Sequence, residues 1–315
     1  MIEYDAKHWT SHLFDLRNSM FHAIFGRIMI FVGWSIVVLV SHDLIAWHYG
    51  KDPITIPTTI HTLVGFALGT LLVFRTNTSY DRFWEGRKLW GGIVNESRNL
   101  IRQCRVFFKD DPELLRSITL WTMAWPHAAM HSLRGGIGFG PAGDELPHAE
   151  IAEARASNHT AVHIAERITA KLAEGRDKGY ISDVLFSHSD GNIQLLIDYL
   201  GGCERIKKTP LPFAYMVHIR RALMLYCTTL PFALVNDFGT GAIVGTFLVA
   251  YIFFGIEEIG VEIENPFDGD ENDLPLEKIC ETIDNNLRAM LPPTGEVEHF
   301  NPRPAALAAL EPVPV

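Results

Sequence analysis

Long apolar stretches interrupt this chain at four places. The stretch that runs from Ile54 to Phe74 has no Asp, Glu, Lys or Arg in 21 positions. A helix of that length spans ~31 Å, which is close to the hydrocarbon thickness of a bilayer. Three further apolar runs occupy residues 28–40, 222–235 and 241–256. The pattern predicts four membrane-spanning helices, with residues 236–240 as a tight loop between the last two.

A long polar section separates the second apolar run from the third. Apolar residues recur there at i, i+3 and i+4 in the stretches 79–108, 111–133 and 149–175, as is typical of amphipathic helices. Residues 134–147 predict a Gly-rich loop, and no stretch alternates as a strand would. The predicted fold class is therefore all-α, with a membrane part and a cytoplasmic part that are each assembled from pieces distant in sequence.

The apolar runs divide the chain into six predicted segments. They are a cytoplasmic N-terminal segment (1–26), transmembrane helices 1 and 2 (27–74), a mainly cytoplasmic helical region (75–221), transmembrane helices 3 and 4 (222–260), an acidic cytoplasmic loop and helix (261–298) and a disordered tail (299–315). The tail is rich in Pro and Ala, a composition that does not favour a packed core.

The distribution of Lys and Arg sets the predicted orientation. Eight basic and three acidic residues lie between Arg75 and Lys109, whereas the loop 41–53 holds one Lys. The positive-inside rule places residues 75–109 in the cytoplasm, and both termini then lie on the same side. Charged residues spread through the first 27 positions argue against a cleaved signal peptide. We expect a multi-pass protein of the inner membrane.

Motifs for catalysis are missing from the sequence. It contains no GxSxG, HExxH or P-loop pattern, so no enzymatic activity is predicted. His127 and His131 share a helix face, but no third ligand is evident, and core or interface positions are favoured over a metal site. Gly241 and Gly245 predict close packing of two helices. The four Cys form no CxxC pair, which favours reduced thiols packed in helices.

The second apolar run carries a polar and aromatic stripe. Thr62, Phe66, Thr70 and Phe74 recur every fourth residue and so lie on one helix face. Gly65 and Gly69 occupy the neighbouring face, where a second helix could pack closely. Rings of Phe can gate a pore by dewetting, and Thr hydroxyls can partly hydrate an ion. The pattern fits a pore lining, and equally a lipid-facing or core stripe.

The stretch that follows the last apolar run is strongly acidic. Residues 257–284 hold eleven carboxylates against one Lys, a net charge of −10, which equals that of the whole chain. Asp268, Asp270 and Asn272 begin like an EF-hand loop, but Asp273 stands where Gly is needed and Ile279 where Glu is needed. Three interpretations stay open: a cation-attracting vestibule, a metal site, or a partner for the basic segment 75–109.

Three stretches together resemble the bestrophin family, and its prokaryotic branch in particular. They are GFALGTLLVFRTNTSYDRFWEGRKLWG (65–91), LGGCERIKKTPLPFAY (200–215) with LYCTTLPFALV (225–235), and NPFDGDENDLPL (265–276). The resemblance implies a homopentamer around one axial pore, with four membrane helices per subunit and a helical cytoplasmic region that encloses a vestibule. It also implies a membrane neck at Phe66, Thr70 and Phe74 and a cytoplasmic aperture at Val184.

The resemblance further implies a Ca²⁺ clasp in the acidic stretch. Its expected ligands are Glu262, Asn265, Asp270 and Asp273, with a main-chain carbonyl near Ile2. Glu262 stands where animal members of the family have an amide. The alternative is a metal-free belt held by basic partners.

The predicted function is a passive channel for monovalent ions. Cations are favoured by the prokaryotic resemblance and by the acidic balance, and the alternative is a chloride or anion-selective channel. A secondary transporter is a weaker alternative, because inverted repeats and broken helices are not visible in the sequence. The expected partners are further copies of the chain, membrane lipid and the permeant ions. No nucleic acid and no required cofactor are expected, and Ca²⁺ is the one ion for which a site is foreseen.

Overall fold

A computed structural model describes residues 20–50 and 56–291 of the chain. In chain order its helices are α1 (Phe21–Tyr49), α2 (Thr58–Phe107), α3 (Pro112–Leu133), α4 (His148–Ala156), α5 (Thr160–Asp177), α6 (Asp183–Lys208), α7 (Phe213–Phe238), α8 (Gly241–Glu262) and α9 (Leu276–Arg288), with a 3₁₀ turn at Pro141–Glu145. The described residues contain no strand, which confirms the predicted all-α class for this part of the chain.

The helices pack around two hydrophobic cores. One core lies among α1, the first half of α2, α7 and α8, and includes Phe31, Leu72 and Phe254. The other lies among the second half of α2, α3, α5, α6 and α9, and includes Trp121 and Leu196. Because α2 contributes to both cores, it is the element that joins the apolar helices to the polar helical section.

Three of the described helices, α1, α2 and α8, are long and apolar enough to cross a membrane. Helix α7, the predicted fourth span, is not among them. Its apolar run 222–235 is bounded by Arg220 and Arg221 at one end and by Asn236 and Asp237 at the other. Since α7 nevertheless packs in the same core as the three apolar helices, the fourth span stays a prediction.

Several predicted boundaries differ from those of the structure. Helix α1 begins at Phe21, inside the segment predicted to precede it, and α2 passes Phe74 without a break. The predicted loop 236–240 is shorter, because α7 continues to Phe238 and Gly239 then adopts a positive φ of 50°. Glycine tolerates this conformation at a helix end, so a very short connection suffices.

The stretch 149–175 forms two helices where one pattern was predicted. Helix α4 ends at Ala156 and α5 begins at Thr160. The Ser157 hydroxyl donates to the Ala154 carbonyl at 2.7 Å, and such local hydrogen bonds compete with continuation of a helix. The predicted tail 299–315 lies outside the described residues.

Candidate functional site

The stripe predicted on the second apolar run lies on the exposed side of α2. Phe66 is 79% exposed and Phe74 is 62% exposed, with Thr70 exposed between them. On the opposite side of the same helix, Leu68 and Leu72 are buried in the core that α2 forms with α1, α7 and α8, the membrane-side core. The structure therefore excludes a core position within the single chain. Two large aromatic side chains are left facing either lipid or another copy of the protein.

The Thr70 hydroxyl is hydrogen-bonded to its own helix. It donates to the Phe66 carbonyl at 2.9 Å, and Thr62 donates in the same way to the Thr58 carbonyl at 3.0 Å. The oxygen lone pairs therefore stay free to accept a hydrogen bond. The stripe is polar at Thr70 but holds no charged side chain, so it offers little basis for choosing the sign of an ion.

The glycines beside the stripe differ in their surroundings. A Cβ atom added to Gly65 would lie 2.8 Å from the Tyr226 hydroxyl of α7, whereas nothing lies within 4 Å of such an atom at Gly69. At Gly245 of α8 it would lie 3.0 Å from Leu234 of α7. Close packing predicted for these glycines is thus confirmed at Gly65 and Gly245, and Gly69 is left open.

A buried cluster of charges lies directly after Phe74. Arg75 of α2 donates from Nη1 to Glu257 Oε1 of α8 at 2.8 Å, and the two residues are 1% and 2% exposed. Arg220 of α7 donates to the same oxygen at 2.9 Å, and Arg27 of α1 approaches Oε2 at 3.6 Å. The four helices of the membrane-side core meet at this one carboxylate. Sequence reasoning missed the cluster.

Helix α6 runs antiparallel to the second half of α2. Arg82 donates to the Ile206 carbonyl at 2.6 Å, near the membrane side. Asn192 donates to Gln103 Oε1 at 3.2 Å, towards the other end. Continuing this register brings Val184 level with about residue 108 of the chain.

Val184 lies in the first turn of α6, which is capped by the Ser182 hydroxyl accepting from the Leu185 amide at 3.4 Å. Its side chain is 77% exposed. At 1.5 Å per residue, the span from Phe74 to this level is about 50 Å. The predicted neck and the predicted aperture therefore lie at opposite ends of one stretch of helix.

The predicted Ca²⁺ ligands lie in or beside the turn that follows α8. Asp273 is 2% exposed, and its Oδ2 accepts from the amides of Gly269 at 2.7 Å and Asp270 at 2.9 Å. Burial raises the pKa of the Asp273 carboxyl in spite of these bonds, and the nearby Asp270 and Asp268 carboxylates raise it further. The turn therefore holds negative charge that a cation would stabilise.

The remaining ligand atoms of this turn suit Ca²⁺ by their chemistry. Glu262 Oε2 accepts from Asn272 at 2.6 Å, and Asn265 Oδ1 is buried without a hydrogen-bond partner. Residues 20–50 and 56–291 contain no group of three His, Cys, Asp or Glu that is arranged to hold a metal. A cation here would therefore depend on the Asn265 amide and on main-chain oxygens, which Ca²⁺ accepts readily. The predicted ligand at Ile2 lies outside the described residues.

Basic side chains brace the same turn. Lys207 pairs with Asp268 at 3.0 Å, and Arg134 pairs with Glu277 and donates to the Phe267 carbonyl at 3.0 Å. From the basic segment 75–109, Arg82 donates to the Glu264 carbonyl at 3.0 Å. The acidic stretch thus has partners from α2, α6 and the end of α3, and its charge is in part neutralised within the chain.

The two histidines of α3 lie at an interface. His127 Nε2 is 2.9 Å from Asp284 Oδ2 of α9, and His131 lies against Gly138 of the Gly-rich loop. Burial lowers the pKa of His131, and neighbouring His127 and Arg134 lower it further. Both positions agree with the predicted interface role. All four cysteines are buried and free, also as predicted.

Comparisons with known proteins identify the family. The model of the bacterial and fungal bestrophin proteins matches residues 1–289. A voltage-dependent anion channel-forming protein of Nostoc sp. is 38% identical over 287 residues, which cover 89% of this chain and 91% of the relative. One from Escherichia coli K12 is 32% identical over 294 residues, with 92% and 94% coverage.

A solved structure gives the same result. The crystal structure of a point mutant of a bacterial bestrophin homologue from Klebsiella pneumoniae matches with a TM-score of 0.80 and 31% identity, and the match covers 85% of this chain and 99% of that one. The apolar helices and these similarities together make the chain a helical membrane protein. It belongs to the bestrophin family, in the bacterial and fungal group.

Proposed function

We propose that this protein is a passive ion channel that conducts monovalent anions. The observation that carries the proposal is the exposed stripe of Phe66, Thr70 and Phe74 on a membrane helix whose other side is packed in the core. Aromatic side chains around an axis form a hydrophobic constriction whose wetting controls current. The same helix continues about 50 Å further, to the level of Val184, where a second constriction would form.

Anions are favoured over the cations predicted from the sequence. The relatives from Nostoc sp. and Escherichia coli carry the name of anion channel-forming proteins. The acidic balance that favoured cations is weakened by the contacts of the acidic stretch, because Glu257, Asp268 and Glu277 all face basic partners. Carboxylates that are paired inside the chain attract passing cations less than free ones do.

The assembly we propose is a homopentamer around one axis in the inner membrane, with both termini in the cytoplasm. The resemblance to bestrophins and the match to the Klebsiella pneumoniae homologue support it. Each subunit would contribute four spanning helices, with α7 as the third in chain order. Its packing in the membrane-side core supports this position. No enzymatic step is involved.

A Ca²⁺ ion held by Glu262, Asn265, Asp270 and Asp273 is part of the proposal. The buried and unpartnered Asn265 Oδ1 supports it. Because Glu262 ends α8 and the turn leads into α9, a bound ion would brace the membrane-side helices against the cytoplasmic ones.

The test is the reversal potential of the purified protein in a planar bilayer under a KCl gradient, with and without micromolar Ca²⁺. Reversal near the Cl⁻ equilibrium potential is the expected result. Reversal near the K⁺ equilibrium potential would contradict the proposed anion selectivity but would still support a channel. Flux that saturates below channel rates would favour a transporter, and silence in both conditions would contradict the channel itself.

A further inference from the structure

The exposed face of α2 that carries the neck continues along the helix into the cytoplasmic part. Successive residues of an α-helix are turned by about 100°. By this measure Trp84, Lys88, Asn95 and Arg102 lie within about 40° of the direction of Phe66, and all four are exposed. Whatever Phe66 and Thr70 face, this part of α2 faces as well.

From Trp84 onward, the charges on this face have one sign. Lys88 and Arg102 lie within it, and so does Arg98, which is only partly exposed. Asp81, which precedes Trp84, is exposed and lies about 60° from Phe66, between the directions of Thr70 and Phe74. The two later carboxylates of α2, Glu85 and Glu96, are turned from Phe66 by about 100° or more. Glu85 is in addition paired with Arg205 of α6 at 2.8 Å. Beyond Asp81, the face therefore presents cations and no carboxylate of its own helix.

These cations form no ion pair within the part of the chain that the structure describes. Among residues 20–50 and 56–291, no ion pair involves Lys88, Arg98 or Arg102. This contrasts with the acidic stretch, where Lys207 and Arg134 neutralise carboxylates. An unpaired charge keeps its full effect on nearby mobile ions, whereas a paired one loses most of it.

We infer that Lys88 and Arg102 line the ion route between the neck and the aperture and determine its preference for anions. The inference rests on the proposed channel function, and it assigns selectivity to residues outside the neck. The neck stripe has no charge with which to distinguish Cl⁻ from K⁺. Repeated around an axis, Lys88 and Arg102 form two positive rings about 21 Å apart along the helix. Such rings raise the local anion concentration at moderate salt.

Charge reversal at the two positions tests the inference. The variant Lys88→Glu/Arg102→Glu should lower the ratio of Cl⁻ to K⁺ permeability, measured from reversal potentials in a KCl gradient, by about tenfold or more. The neutral variant Lys88→Gln/Arg102→Gln should lie between it and the wild type. The difference should shrink near 1 M salt, where the Debye length is only about 3 Å. A purely structural role would not give this salt dependence.

Arg87→Glu is the matched control, because Arg87 adjoins Lys88 but is turned about 100° from it. Its side chain lines a groove of about 360 Å³ against Ile279 and Thr282 of α9, and Asn95 and Arg98 border the same groove. This variant should change the permeability ratio much less than Lys88→Glu does. Equal shifts of the permeability ratio in Arg87→Glu and Lys88→Glu would overturn the inference. The effect would then not depend on the side of α2 from which the side chain projects.

The outcomes separate this inference from the proposed function. An anion-selective wild type whose double Glu and double Gln variants keep the same permeability ratio would remove Lys88 and Arg102 from the route and leave the channel intact. A wild type that passes K⁺ or no ions would contradict the proposed function itself. If the double Glu variant fails to fold, the permeability ratio of the double Gln variant alone tests the inference.

Discussion

Arg75 of α2 and Glu257 of α8 form a buried ion pair across 182 residues of sequence. Arg75 Nη1 donates to Glu257 Oε1 at 2.8 Å and to the Glu257 carbonyl at 3.1 Å. Phe74 of the predicted neck directly precedes Arg75, and the acidic stretch begins at Glu257. The pair therefore fixes the position of the neck relative to the helix that leads to the acidic turn.

Removal of the Arg75 charge should destabilise the protein severely. Arg75→Met leaves Glu257 buried with the half-exposed Arg220 as its nearest cation, and breaking one side of a buried pair costs about 3–5 kcal/mol. Unfolding in detergent, followed by circular dichroism against denaturant, measures the loss. Arg220→Met is the control and should cost about 1 kcal/mol or less, because Arg220 is partly solvated. Equal losses would mean that Arg75 is not the main partner of Glu257.

The apolar constriction should limit conductance. Phe66→Ala together with Phe74→Ala removes two exposed aromatic rings from the stripe, which should ease wetting and raise single-channel current. Val64→Ala is the control, since Val64 is also exposed but is turned about 160° from Phe66; it should leave the current unchanged. Unchanged current in the double variant would remove both residues from the neck.

The apolar spans and the stripe on α2 could be predicted because both depend on local patterns. The length of an apolar run identifies a spanning helix, and a four-residue spacing identifies a helix face, whatever the distant chain does. The exposed positions of Phe66 and Phe74 and the burial of Leu68 follow this spacing. The continuation of α2 past Phe74 could not be predicted, because the apolar run ends there and a charged stretch follows it.

No local sequence pattern indicates the Arg75–Glu257 pair. Each residue fits its own segment, Arg75 as part of a basic helix and Glu257 as one of eleven acids. Their contact depends on how four helices pack, which no periodicity encodes. The acidic stretch could be recognised as unusual from its charge, but its neutralisation by Lys207 and Arg134 depends on tertiary contacts in the same way.

Calcium should stabilise the protein through the acidic turn. Ca²⁺ at a hundred times its dissociation constant adds about 2.7 kcal/mol to the free energy of unfolding, seen as a rise in the melting temperature over that in EGTA. Asp270→Ala should abolish this rise, and Glu271→Ala, which removes the neighbouring exposed carboxylate, should keep it. A rise that persists in Asp270→Ala would place the ion elsewhere.

The same calcium effect should weaken at low pH. A Ca²⁺ ligand must be deprotonated, and burial raises the pKa of Asp273 above its usual 3.8. Protons therefore compete with Ca²⁺ at a higher pH than an exposed Asp would allow. Melting temperatures with and without Ca²⁺ should be measured from pH 7 downwards. They should become equal at a higher pH than that at which an exposed carboxylate becomes protonated. A constant difference down to about pH 4, near the pKa of an exposed Asp, would exclude Asp273 as a ligand.

His131 should make the polar helical section sensitive to mild acid. Its pKa is lowered from the usual 6.5 by burial and by the nearby His127 and Arg134, so the folded chain binds a proton there less readily than the unfolded chain does. The stability is thus complete above about pH 6.5 and falls as the pH drops below it. His131→Gln should reduce the drop in melting temperature between about pH 7.5 and 5.5. The control His188→Gln, at an exposed position, should leave the drop unchanged, and an equal reduction in both variants would contradict the assignment to His131.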